Sequence, residues 1–126
     1  MASPRKILVI AVSKDEVREF RNCLSCDLEV EQVTLDEAAT LLKHDPSVGV
    51  VIFDIEGDAA WTSELQDLLS VRPTSRVILV CRLADDCLWM DALEAGAHDL
   101  LLKPFDKMEV SSVVRSAMLH SASAAA

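Results

Sequence analysis

The side chains able to do chemistry in this chain cluster at the ends of short apolar runs. Asp54 closes the most apolar of these, Val48-Gly49-Val50-Val51-Ile52-Phe53, and Lys103 closes another, Leu100-Leu101-Leu102. A carboxylate and an ammonium placed this way can meet as a strand-end ion pair. Cys81-Arg82 follows a third run, Val77-Ile78-Leu79-Val80. Cys23 and Cys26 form a CxxC, a spacing that serves redox chemistry when a helix N-terminus lowers the thiol pKa. Here it falls at the far end of an apparent helix, and no second Cys or His pair stands at zinc-ligand spacing. The cysteines therefore read as small buried hydrophobes. His44, His98 and His120 lie in unrelated elements and offer no base–nucleophile pairing, so an enzyme is not expected.

The elements that must position these groups alternate regularly. Ile7-Leu8-Val9-Ile10-Ala11-Val12 reads as a strand buried on both faces, and Ser13-Lys14-Asp15-Glu16 can form a capping box that starts a helix with Val17, Phe20 and Leu24 on its apolar stripe. Residues 28–33 read as a shorter strand nearer an edge, and Thr34-Leu35-Asp36-Glu37 repeats the capping-box pattern before a helix that ends near Pro46. After the strand closed by Asp54, a helix carries Leu65, Leu68 and Leu69 and stops before Pro73. Leu88, Met90 and Leu93 mark the next helix, with Gly96 as its C-cap residue. Asp106 and Glu109 open a last helix through Val110, Val113, Val114 and Met118. Five strand–helix repeats with short connections imply an α/β fold with a parallel sheet, right-handed crossovers and helices on both faces. In such sheets sites form beyond the carboxyl ends of the strands, which carry Ala11 and Val12, Asp54, Cys81 and Arg82, and Lys103-Pro104. The first strand is followed by no Gly-rich phosphate loop, which argues against a dinucleotide or P-loop enzyme.

Composition narrows the partners. The chain has 126 residues, about one domain, and 51% of them are hydrophobic, enough for a core. Lys and Arg total 12 against 21 Asp and Glu, a formal charge of -9. Nucleic acids and anionic membrane surfaces both require the opposite balance. No run is long enough to cross a bilayer, and the brief apolar segment after Arg5 and Lys6 lacks a signal-peptide cleavage site, so a cytoplasmic protein is expected. Residues 1–120 are expected to form the domain and residues 121–126 a small-residue tail: a frayed helix end, disordered, or the start of a linker.

The stretch Ala92-Leu93-Glu94-Ala95-Gly96-Ala97-His98-Asp99 leading into Leu102-Lys103-Pro104-Phe105, with Asp54 in register, resembles a bacterial response-regulator receiver domain. The resemblance covers about residues 5–119. It implies the CheY-like, flavodoxin-like (βα)5 fold with strand order 2-1-3-4-5. It also implies Asp54 as phosphoacceptor, Lys103 as the cation that neutralises the phosphoryl oxygens, a cis bond before Pro104, and a histidine kinase or phosphotransfer protein as partner.

This chain departs from the family at several positions. Where receivers place two adjacent acids that bind Mg²⁺, it has Ala11 and Val12. Asp54 and the backbone carbonyl of Glu56 remain as metal ligands, a poor set for an ion that demands octahedral oxygen ligation. Asp15 and Glu16 are expected to complement their helix N-terminus instead. Cys81 stands where the family has a phosphoryl-binding hydroxyl, Arg82 where it has a small residue, and Leu100 where it has an aromatic switch. Asp54 and Lys103 already balance, so Arg82 either joins them and makes the pocket cationic without metal or turns to solvent. An atypical receiver with weakened Mg²⁺-dependent phosphorylation follows. The alternative is a degenerate receiver acting as a phosphorylation-independent interaction module through residues 86–119, from Asp86 to Leu119, with Trp89 as an anchor; a homodimer is compatible with either.

Overall fold

The computed structural model describes residues 5–24, 27–82 and 86–125. Cys26, half of the CxxC, lies outside them. Alternating β-branched runs and capped amphipathic segments give five strands and five helices in strict alternation: β1 (Lys6–Ile10), α1 (Lys14–Cys23), β2 (Glu29–Val33), α2 (Leu35–His44), β3 (Val48–Asp54), α3 (Trp61–Val71), β4 (Arg76–Cys81), α4 (Asp86–Glu94), β5 (Asp99–Leu102) and α5 (Lys107–Ala125). All strand pairs are parallel and the order is β2-β1-β3-β4-β5, the doubly wound arrangement expected.

The strands are buried on both faces because successive side chains supply opposite layers. Leu8, Val51, Phe53 and Leu79 point toward α2, α3 and α4, where Leu42, Leu65, Leu68 and Ala92 meet them. Ile7, Val9, Ile52 and Val80 point toward α1 and α5, meeting Phe20, Val110, Val114 and Ala117. Both capping boxes form: Ser13 with Glu16 at α1, and Thr34 with Glu37 at α2. β2 is an edge strand with Glu29 and Glu31 exposed.

Some boundaries differ from the sequence expectation. β1 ends at Ile10, not Val12, because Ala11 takes a left-handed φ of 63° that turns the chain out of the sheet. Val12 is nonetheless buried against α1 and α5, and its carbonyl accepts a hydrogen bond from Gln32 Nε2 at 2.7 Å. α5 runs to Ala125 and takes in residues 121–125, the small-residue stretch read as a frayed helix end or the start of a linker; alanine and serine impose no break on it. On α4, Met90 and Leu93 are exposed, while Ala92 is buried and Leu88 packs partly buried against the core. Among the described residues no helix is long and apolar enough to cross a membrane.

Candidate functional site

The carboxyl edge of the sheet brings together the ends of β3 and β5 with the first turn of α1. Asp54, the last residue of β3, is almost wholly buried. Its Oδ1 accepts the backbone N–H of Glu56 at 2.9 Å, and its Oδ2 accepts Lys103 Nζ at 2.5 Å. Lys103 follows β5 directly and is docked by its backbone, whose N–H donates to the Cys81 carbonyl at 2.9 Å. The Lys103–Pro104 peptide bond is cis.

A second carboxylate reaches the same ammonium. Glu16 Oε2 lies 2.8 Å from Lys103 Nζ, while its Oε1 accepts the Ser13 backbone N–H at 3.2 Å and the Ser13 hydroxyl at 3.0 Å. Side-chain exposure is 10% for Lys103, 7% for Asp54 and 20% for Glu16, so this is a largely desolvated triad. Burial works against the charge on Lys103, but hydrogen bonds to Asp54 and Glu16 outweigh it and raise its pKa. Burial likewise opposes ionisation of Glu16, and the bonds from Lys103 and Ser13 win, lowering its pKa.

The pocket is therefore not cationic. Arg82, weighed as a second pocket cation, is exposed, and among the described residues it pairs with neither Asp54 nor Glu16. It enters the site through its backbone, whose N–H donates to Glu56 Oε2 at 2.8 Å, and its side chain borders an open cleft of about 420 Å³ over Lys103. Glu16, expected to complement its helix N-terminus, caps α1 and also shares the Lys103 ammonium with Asp54. Asp15 stays at the surface, 4.0 Å from Arg18.

The remaining positions sit at the rim or beneath it. Ala11 is exposed and carries no ligand atom in its side chain, and Val12 is turned into the core. Cys81 and Leu100 are both buried on the α2–α4 side. Trp89 is partly exposed on α4 and, with Met90, Leu93, Met108 and Leu119, leaves apolar area on the 86–119 face. Cys23 is half-buried, and burial pushes its thiol pKa up, which is unsuited to thiolate chemistry.

These residues do not fit a Mg²⁺ ion. The oxygens of Asp54 and Glu16 already accept hydrogens from Lys103, Glu56 and Ser13, and among the described residues no three acidic, His or Cys side chains converge. What the arrangement can do is hold the buried Asp54 carboxylate against Lys103, which itself borders an open cleft.

A second acidic feature lies on the other side of β1 and β3. Among the described residues the buried Oε1 of Glu64, on α3, has no hydrogen-bond partner. A hydrogen bond with Asp58, burial, and the charges of Asp58 and Asp67 push its carboxyl up to about 7. Nothing in the sequence spacing pointed to this pair.

No family model matches the chain. Protein CcdB of Bacillus subtilis (strain 168) is 32% identical over 56 residues, 44% of this chain, and the match spans about half (47%) of that relative. Among solved structures, a response regulator from Thermotoga maritima superposes with a TM-score of 0.82 at 21% identity, covering 94% of this chain and 99% of that one. A CheY-like response regulator receiver domain protein from Methanospirillum hungatei JF-1 gives 0.76 at 20% identity over 94% and 97%. With five parallel strands in the order 2-1-3-4-5 and helices on both faces, the chain has the fold of the CheY-like response-regulator receiver domain.

Proposed function

We propose that this domain is an atypical receiver of a bacterial two-component phosphorelay, with Asp54 as its phosphoacceptor and with Mg²⁺-dependent phosphorylation weakened. The observation that carries the reading is the buried Asp54 carboxylate held against Lys103 at the carboxyl edge of the sheet. An ionised carboxylate is the nucleophile that acyl-phosphate formation needs, and Lys103 is placed to neutralise the incoming oxygens. Ala11 and Val12 leave no acidic pair to hold Mg²⁺, and Lys103 balances only part of the carboxylate charge. The domain works as a switch or docking unit in the cytoplasm and is not an enzyme; its partner is a histidine kinase or phosphotransfer protein.

The test is acyl-phosphate labelling by a small phosphodonor with and without Mg²⁺. Labelling well below stoichiometric, little changed by Mg²⁺ and lost in Asp54→Ala, is expected. Stoichiometric Mg²⁺-dependent labelling would remove the weakened part of the reading. Complete absence of label favours the second reading, a phosphorylation-independent interaction module. That reading draws on the exposed Trp89, Met90, Leu93 and Leu119 of the 86–119 face.

A further inference from the structure

We infer that Glu16 is a positioning residue that competes with an incoming anion for Lys103 and carries the occupancy of the site into the first turn of α1. The inference rests on the phosphoacceptor reading and adds a regulatory step to it. Lys103 has three N–H donors, and Asp54 and Glu16 take two of them at 2.5 and 2.8 Å. An anionic group bound at Asp54 must recruit the same ammonium. It would then stand beside the Glu16 carboxylate, where a like charge at such range in a desolvated setting is strongly opposed.

Glu16 has one direction in which to yield. Its Oε1 is engaged by the Ser13 backbone and hydroxyl, so a single carboxylate serves both the capping box and the site. Releasing Lys103 re-aims the group that closes the first turn of α1. The cleft above Lys103, bordered by Glu16, Glu19 and Arg82, leaves room for this movement. The competing acid comes from the helix, not from the end of β1, so the element that responds is α1.

Beryllofluoride, a phosphoryl mimic, tests this with and without Mg²⁺ on wild type, Glu16→Gln and Asp54→Ala. Gln keeps an amide oxygen for the Ser13 cap and removes the charge. Binding about tenfold tighter in Glu16→Gln than in wild type is expected. In wild type, saturation should shift the backbone amide signals of residues 13–17, and these shifts should shrink in Glu16→Gln. Equal or weaker binding by Glu16→Gln overturns the role of Glu16 while leaving Asp54 as acceptor. Saturation of wild type without movement at residues 13–17 overturns it as well. Failure of wild type and Glu16→Gln alike to bind overturns the acceptor reading, and the inference with it. Binding retained in Asp54→Ala does the same.

Discussion

Glu56 Oε2 accepts the backbone N–H of Arg82 at 2.8 Å, bridging the loop after β3 to the residue after β4. The same Glu56 gives its own N–H to Asp54 Oδ1 at 2.9 Å, so one residue ties two strand ends to the central carboxylate. Glu56→Ala removes the bridge but keeps the N–H. It is expected to speed hydrogen exchange at the Arg82 amide and to cost no more than about 1 kcal/mol, because the bond is solvent-exposed. Unchanged exchange at Arg82 would show that the bridge does not hold the loop.

Removing either partner of the central ion pair should have unequal effects. Lys103→Met leaves Asp54 buried beside Glu16 with no cation between them, a loss expected near 3 kcal/mol in urea unfolding. Asp54→Asn leaves Lys103 paired with Glu16 and is expected to cost about 1 kcal/mol. The reverse order would mean that Glu16 does not share the ammonium in solution.

The carboxyls of Glu64 and Asp45 predict opposite pH responses. Glu64 is pushed up to about 7 by Asp58, burial and Asp67, so the folded chain holds its proton more tightly than the unfolded one. Its contribution is complete below the unfolded value near 4.5 and is lost as pH rises to about 7. Glu64→Gln should remove this fall and be more stable than wild type at pH 8 by about 1–2 kcal/mol, allowing for solvent screening. Trp61, one helical turn away, gives a fluorescence signal for the titration.

Asp45 is held down to about 2 by hydrogen bonds from the Ser47 side chain and backbone and from Lys6. That stability is present above about 3.8 and is lost as pH falls toward 2. Asp45→Asn should flatten the acid limb of the pH–stability curve, and an unchanged acid limb would exclude Asp45 as its source.

Gly96 is the residue that ends α4. Its φ is +104°, the Ala97 N–H reaches back to the Ala92 carbonyl at 3.0 Å, and an added Cβ would stand 2.7 Å from Leu69 Cδ1. Gly96→Ala combines backbone strain with a side-chain shift and should lower stability by about 1–2 kcal/mol by thermal unfolding. A neutral result would require the α4–β5 turn to re-form without the left-handed residue.

Much of this fold was legible in the sequence because its determinants are local. The runs around Val9, Ile52 and Leu79 are apolar at every position, which only a doubly covered sheet accommodates, and Ser13–Glu16 and Thr34–Glu37 are capping boxes within four residues. The boundary at Ala11 was not legible, since left-handed backbone at an alanine carries no sequence mark. The second role of Glu16 was hidden for a different reason. Its partner Lys103 lies across the sheet on a distant segment, and the cap alone already accounted for a glutamate at that position. Glu64 and Asp58 were hidden likewise, because burial of the Glu64 carboxyl depends on how α3 seats against the sheet.

The outer edge of β2 bears on how copies of this domain meet one another. An unpaired strand edge is a template on which a neighbour's strand can polymerise into a continuous ribbon. Here the Arg21 side chain already donates to the Val30 carbonyl of that strand at 3.0 Å, and exposed charged groups, Glu29 and the Glu31–Lys6 pair, flank it, so an added strand must displace a bond and bury charge. The opposite border, β5, is four residues long, and Pro104, two residues beyond its end, has no N–H to offer. Both rims of the sheet therefore discourage lateral growth by strand addition.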